Sequence, residues 1–322
     1  MVDRIPSGTR DFLPDEMREL RAMTERVRGV FEQAGYGEVY TPALEYEATF
    51  TRAHMDPGRP AYRVFDEHGH VLVLRSDMTV PIARLVATRY HDAEPPLRFC
   101  YFAHAYRSVR PQRGQSREFL QAGVELIGAE SPEGTVEVLT VLCNALDAAG
   151  LETYRVGLGD AALYPALLDR LNIDDEERRE RILTELADGD FVGLRAEIGA
   201  LGLGDEAAGL LLEVPQTRGG PEVLQGLSAP LQHAVTGMRA VHALLAPEVA
   251  DRIIFDLGLV RGLGYYTGAV FQVYDPAYGV PIGIGGRYDE LLGQFGRPLP
   301  AVGFSLNVER LHIALTSEER RK

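Results

Sequence analysis

The strongest constraint in this chain is a pair of apolar runs, 97–106 and 119–128, matched in length and joined by a short loop. The short separation and the matching lengths favour an antiparallel pair. In 119–127 the period of two places Phe119, Gln121, Gly123, Glu125 and Ile127 on one face. Leu120, Ala122, Val124 and Leu126 form the other, wholly apolar face. Gln121 and Glu125 therefore project together from mid-strand, and Gly123 between them is expected to leave space above the sheet. The loop, HAYRSVRPQRGQSR (104–117), holds Arg107, Arg110, Arg113 and Arg117 and no acid. Planar guanidinium forks suit phosphate or carboxylate, since each donates two parallel hydrogen bonds. The plainer alternatives are a solvated loop and a half-wet sheet face, which antiparallel sheets permit. A small polar ligand lying on the sheet explains the acid, the amide and the arginines at once.

The rest of the chain supplies elements to either side of this pair. Met17, Leu20, Met23, Val27, Val30 and Phe31 recur at helical spacing, so 15–34 reads as an amphipathic helix stopped by Gly35. Residues 37–44 read as one strand running into Pro42, and 62–66 with 71–75 as a hairpin. Helices are predicted over 79–90, 132–149 and 161–171, with a short strand at 154–157. From 172 to 246 the pattern is helical, and its charged run (DDEERRERILTELADGD) is a solvated face. Strands resume at 252–255, 269–274, 281–284 and 301–306, and a helix starts near Asn307. The order of elements is α+β: a mostly antiparallel sheet flanked by helices. The expected division is a first core part (1–171), a helical insertion (172–246) and a second core part (247–322).

Charge narrows the function. Lys and Arg number 33 against 47 Asp and Glu, a net charge of −14. That disfavours any partner gripped along its phosphates, while leaving room for one local basic site. Cys100 and Cys143 sit in apolar runs without CxxC or Cys/His spacing, which points to buried thiols rather than a zinc site or disulfide. The histidines show no metal-ligand spacing. No apolar stretch approaches the ~18 residues of a membrane span, and the N-terminal residues lack a secretory core. A cytoplasmic protein without metal, cofactor or membrane is expected.

Two further segments carry chemistry. GLVRGLGYY (258–266) sets Arg261 between glycines ahead of Tyr265 and Tyr266, where the backbone admits an anion closely. GIGGRY (283–288) reads as a glycine-rich turn before Tyr288, matching neither a Walker loop nor GxGxxG. GLGDAA (157–162) mimics a dinucleotide fingerprint, but no second parallel strand with a terminal acid follows.

Together these segments resemble the catalytic core of histidyl-tRNA synthetase, a class II aminoacyl-tRNA synthetase. The likeness runs from PSGTRD (6–11) to the final helix. Residues 35–45 resemble motif 1, the strand pair with its arginine loop motif 2, and GFSLNVERL (303–311) motif 3. LVRGLGYYTGAVF (259–271) and GGRYDELL (285–292) are similar to the two histidine-specific segments. The resemblance implies a histidine pocket. Asp77, Thr79 and Gln121 would meet the α-ammonium, Arg107 the carboxylate (or the α-phosphate if ATP were bound) and Arg261 the carboxylate or phosphate end, while Glu125, Tyr266 and Tyr288 would surround the imidazole and Tyr265 would belong to the same pocket. Arg113, Arg117 and Arg310 would offer anion or nucleotide contacts. It also implies a homodimer through the motif 1 region.

The departures cluster on the nucleotide side. Gly264 stands where the synthetase pattern has Asp, Val109 where it has Glu, Gln115 where it has Arg, and Asn307 where it has Gly; LRSDMT (74–79) replaces LRPEGT. Asn307 is expected to fill space near a nucleotide, and no anticodon-binding domain is expected. This combination resembles the synthetase-like regulatory subunits of short-form ATP phosphoribosyltransferase. That resemblance implies a non-catalytic chain that partners a short catalytic subunit in the first step of histidine biosynthesis and takes L-histidine as feedback effector, without tRNA. The rival expectation is a truncated synthetase-like enzyme that forms histidyl-adenylate or charges tRNA in trans.

Overall fold

In the computed structural model, residues 5–53, 61–108, 116–225, 227, 231–259 and 264–321 are described. The amphipathic pattern of the first helix is realised as α1 (Pro14–Gln33), which buries Leu20, Met23, Val27 and Phe31. Gly35 ends it at φ +83°, a left-handed conformation that favours glycine. The expected strand over 37–44 is two strands instead, β1 (Gly37–Glu38) and β2 (Leu44–Tyr46). Pro42 lies in the break, where its missing N–H costs no ladder bond. After a short helix α2 (Glu47–Arg52), β3 (Arg63–Phe65) and β4 (Val71–Leu74) form the hairpin and α3 (Thr79–Arg89) follows.

The two apolar runs are β5 (Leu97–Tyr106) and β6 (Glu118–Ile127), antiparallel over their whole length. Then come α4 (Glu133–Ala149), β7 (Arg155–Asp160) and α5 (Leu163–Arg170). β7 is longer than the predicted 154–157, because Leu158 and Gly159 pair with β10. The 172–246 stretch contains α6 (Glu176–Asp188), α7 (Phe191–Gly199), α8 (Asp205–Glu213) and α9 (Gln232–Leu244). It also supplies β8 (Arg218–Gly219), which pairs with β9 and ends the sheet. The chain continues with α10 (Pro247–Ala250), β9 (Ile253–Asp256), β10 (Ala269–Asp275), β11 (Tyr278–Arg287), β12 (Ala301–Asn307) and α11 (Val308–Glu319).

Among the described residues nine strands make one sheet in the order β1-β5-β6-β12-β11-β10-β7-β9-β8, parallel at β1–β5 and β7–β9 and antiparallel elsewhere. β2, β4 and β3 form a separate three-stranded sheet. The large sheet divides the core in two. On one face α1, α4, α5, α9 and α11 bury a continuous apolar layer that includes Val124, Leu126, Leu158 and Leu306. Cys100 and Cys143 lie in that layer, and burial pushes their thiols up to about 11 and about 12. On the other face a smaller cluster, with Met78, Ile82, Tyr101, Ile127, Tyr265 and Tyr288, borders the polar side chains of β6. No helix among the described residues is long and apolar enough to cross a membrane.

Candidate functional site

β6 sets the geometry. Its register pairs Glu125 with Phe99 on β5 and Gly303 on β12, and Gln121 with Ala103 and Asn307. Gln121 and Glu125 thus rise from the middle of the sheet into a small cleft. Asp77, Thr79, Tyr101, Arg107, Gln121, Glu125, Tyr265, Tyr266, Ile284, Tyr288, Gly303, Phe304 and Ser305 line it. The structure therefore brings together eight residues named from the sequence: Asp77, Thr79, Arg107, Gln121, Glu125, Tyr265, Tyr266 and Tyr288.

Glu125 is 1% exposed, and both its oxygens are held. Oε1 accepts from the Thr79 hydroxyl at 2.6 Å and Oε2 from the Tyr288 hydroxyl. Burial pushes its carboxyl up to about 8; the two hydroxyls pull the other way, and Asp77 adds to the rise. Asp77, in the turn before α3, accepts from the Val80 amide at 3.2 Å. Gln121 is 4% exposed, and its side-chain carbonyl has no hydrogen-bond partner among the described residues. A buried acceptor left this way costs about 1–3 kcal/mol, and a ligand donor would recover it. Arg107 stands at the cleft edge with its guanidinium 4.9 Å from the Phe119 ring centre. Tyr265 lies edge-on to Tyr266 and Tyr288, at 5.1 and 5.6 Å between ring centres. Desolvation holds the Tyr101, Tyr265 and Tyr288 hydroxyls well above the usual phenol range, so they remain neutral donors.

Two sequence expectations are corrected. The space above Gly123 is not open, because the Tyr101 phenol from β5 fills it. A Cβ at Gly123 would lie 2.5 Å from the Tyr101 hydroxyl and closer still to the Phe304 carbonyl. GIGGRY is no turn: beyond the expected strand 281–284, residues 285–287 continue β11, and Gly286 leaves room for the Tyr266 ring, 2.8 Å from where a Cβ would stand. Asn307 has a structural part outside the cleft lining. Its side chain caps α11, accepting from the Arg310 amide at 2.9 Å.

The anion candidates separate from the cleft. Arg117 donates to the Ser7 carbonyl at 2.6 Å and to the Tyr62 hydroxyl, fastening the N-terminal segment. Arg310 donates to the Pro281 carbonyl at 2.8 Å. Neither lines the cleft. Arg113 and Arg261, with Arg110, Val109 and Gln115, lie outside the described residues.

Sequence reasoning missed Tyr101, Ile284, Gly303, Phe304 and Ser305 as lining residues. A usable signal existed for one of them: a glycine mid-strand marks a close approach, and in an antiparallel pair of this register it faces Tyr101.

A sequence model of the family described as histidyl-tRNA synthetase matches residues 8–311. The ATP phosphoribosyltransferase regulatory subunit of Desulforamulus reducens is 39% identical over 97% of this chain and 79% of its own length. That of Moorella thermoacetica is 40% identical over 97% and 82%. The chain belongs to the histidyl-tRNA synthetase-like family of ATP phosphoribosyltransferase regulatory subunits. A crystal structure from Bacillus halodurans, described as an ATP phosphoribosyltransferase regulatory subunit/histidyl-tRNA synthetase, superposes with a TM-score of 0.87 at 33% identity, over 98% of this chain and 84% of that one. Histidyl-tRNA synthetase from Nostoc sp. PCC 7120, at 23% identity and a TM-score of 0.79 over 99% of this chain and 76% of that one, shares the fold. The class II α+β core expected from the sequence is the fold found.

Proposed function

We propose that the chain is the regulatory subunit of a short-form ATP phosphoribosyltransferase, needed for the first step of histidine biosynthesis, and that its cleft binds L-histidine as the feedback effector. The observation that carries this reading is the set of buried acceptors Asp77, Gln121 and Glu125 facing one small cleft, with Arg107 at its edge. An amino acid with a second basic group matches that set. Its α-ammonium would meet Asp77, Thr79 and Gln121, its carboxylate Arg107 with Arg261, and its ring Glu125, Tyr288 and Tyr266. Each charge-assisted bond shielded from water contributes ~1.5–3 kcal/mol.

The same chain acts without catalysis of its own. Arg310, which the resemblance assigns an anion or nucleotide contact, is occupied with the Pro281 carbonyl, and this supports a role without adenylation. A homodimer is supported by the small sheet. Leu44, Tyr46 and Val64 are 44%, 54% and 40% exposed on one face of β2–β4–β3, beside Leu72 and Leu74. To inhibit, histidine must bind the inactive assembly more tightly than the active one, a coupling of ~1–3 kcal/mol.

Reconstitution tests this. The purified chain is mixed with a short catalytic subunit and phosphoribosyl-ATP formation is followed. Stimulation that histidine reverses is expected. Absence of stimulation overturns the regulatory role, and histidine-dependent exchange of pyrophosphate into ATP would establish the adenylating alternative.

A further inference from the structure

The sheet face that carries the cleft continues past β10, and there it holds a second cavity, of about 340 Å³. That volume is within the range of small-ligand pockets, roughly 300–1,000 Å³. β7, at its centre, is four strands from β6 in the sheet order, roughly 19 Å at ~4.8 Å per strand. The alternation of β7 makes the room. Val156 and Leu158 join the helix-side layer, which leaves Arg155, Gly157 and Gly159 on the other face. Gly157 pairs with Ile254 on β9, and the two form the floor. A Cβ on Gly157 would stand 3.2 Å from the Tyr274 ring, so a side chain there would narrow the space. Tyr274 and Pro276 wall it; the Tyr274 hydroxyl donates to Gln272 Oε1 at 2.5 Å, and its ring stands beside the cavity.

The polar groups of the lining sort by what they already hold. Asp256, 3% exposed, accepts from the Gly258 amide at 3.1 Å and from Arg218 Nε at 2.8 Å. Asp275 accepts from the Ala277 amide at 2.7 Å and from the Thr153 hydroxyl at 3.0 Å. All four carboxylate oxygens are thus engaged within the protein. The arginines keep donors for a ligand. Arg218 meets Asp256 through Nε, which leaves its two terminal amino groups uncommitted among the described residues. Arg155 donates one N–H to the neighbouring Tyr154 carbonyl at 2.9 Å and forms no ion pair among the described residues. The register sets Arg155 level with Tyr274 and Arg218 level with Asp256, at the two ends of the Gly157–Ile254 floor. We propose that this cavity binds a nucleoside monophosphate, its base and sugar over Gly157 and Ile254 beside Tyr274, and its phosphate on Arg155 and Arg218. Two guanidiniums suit a dianionic phosphate, an aromatic wall takes the flat face of any base, and the volume exceeds what a single ring fills. The site is independent of how the cleft around Glu125 is read.

Calorimetry on the full chain tests this at low salt, with AMP as the probe. AMP is expected to bind once per chain. Adenosine, which lacks the phosphate, and ribose 5-phosphate, which lacks the base, are each expected to bind at least tenfold more weakly. Arg155→Gln removes one charge and disturbs only a bond to the adjacent carbonyl. It should weaken AMP at least tenfold while the urea midpoint stays where it is. Ile254→Phe raises the floor without touching a charge and should weaken AMP by a similar factor, so the proposal does not hang on one variant. AMP binding that neither substitution changes places the nucleotide elsewhere and overturns the proposal. Inorganic phosphate or ribose 5-phosphate binding as tightly as AMP reduces the site to a bare anion contact and overturns it too, as does no AMP binding up to about 5 mM.

Discussion

Gly303→Ala puts the architecture of the cleft to a direct test. β12 passes Gly303 between Glu125 on one side and Gly286 on the other. A Cβ there would stand 2.5 Å from the Val124 carbonyl oxygen and overlap the Glu125 carboxyl. Real Cβ contacts do not fall below 3.0 Å, so a central strand must give by roughly 0.5 Å or the carboxyl must leave. Overpacking of this kind costs ~1–3 kcal/mol. Ejecting the carboxyl also breaks its bonds to Thr79 and Tyr288, about 1 kcal/mol each. The expected loss is ~2–5 kcal/mol of unfolding free energy, read from urea midpoints at unchanged slope, with histidine affinity in calorimetry reduced at least tenfold. A second substitution separates the two contributions. In a Glu125→Ala background the carboxyl overlap is gone while the Val124 contact remains, so Gly303→Ala should cost ~1–2 kcal/mol less there. If Gly303→Ala stays within ~0.5 kcal/mol of wild type, or costs the same in both backgrounds, the claim that this glycine exists to seat Glu125 is refuted.

Glu125 also sets a pH dependence. Its folded carboxyl is raised to about 8 from 4.5, so the folded state holds the proton more tightly than the unfolded chain. The stability it lends is full below pH 4.5 and is lost as pH rises toward 8, a few kcal/mol at ~1.4 kcal/mol per unit. Glu125→Gln should flatten the curve of urea midpoint against pH over that window; an unchanged slope argues against a buried, cation-free carboxyl. Asn307→Ala removes the side-chain cap of α11 and should lower stability by ~1 kcal/mol, while Asn307→Asp, which keeps the acceptor, should hold it. Leu44→Arg places a charge in the exposed face of the small sheet and should shift a homodimer to monomer in light scattering, with the unfolding of the monomer little changed.

The sheet was legible where side-chain periodicity is strong and local. β5 and β6 declare themselves by matched apolar runs, and the alternation of 119–127 alone places Gln121 and Glu125 on one face. The Asp77–Thr79 turn and the tyrosines of 265–288 reached the site only through family resemblance, since no local pattern says that residues so distant in the chain meet. Gly123 was misread for a related reason. Its lack of a side chain marks a close approach, but only the cross-strand partner reveals whether ligand or protein approaches, and here it is Tyr101. GIGGRY was read as a turn because glycine is rare in strand interiors; its glycines are needed by neighbours, Phe271 against Gly285 and Tyr266 against Gly286. Arg117 and Arg310 illustrate the limit for charge. Sequence shows that a guanidinium is present, but a backbone carbonyl can claim it as readily as a phosphate.

The position of β12 in the sheet has a consequence for how the chain comes together. β5 with β6, and β10 with β11, are neighbours in sequence and can pair as soon as each is made, yet the two halves of the sheet meet only across β12, the last of the strands. Joining β12 to β6 closes a loop of well over a hundred residues, the kind of long-range pairing that is slow to form. Gly303 and Ser305 arrive with that strand, so the cleft is finished in the same step that welds the halves. The cleft is thus complete only where the sheet is complete, and a ligand held in it would report that assembly has run to its end.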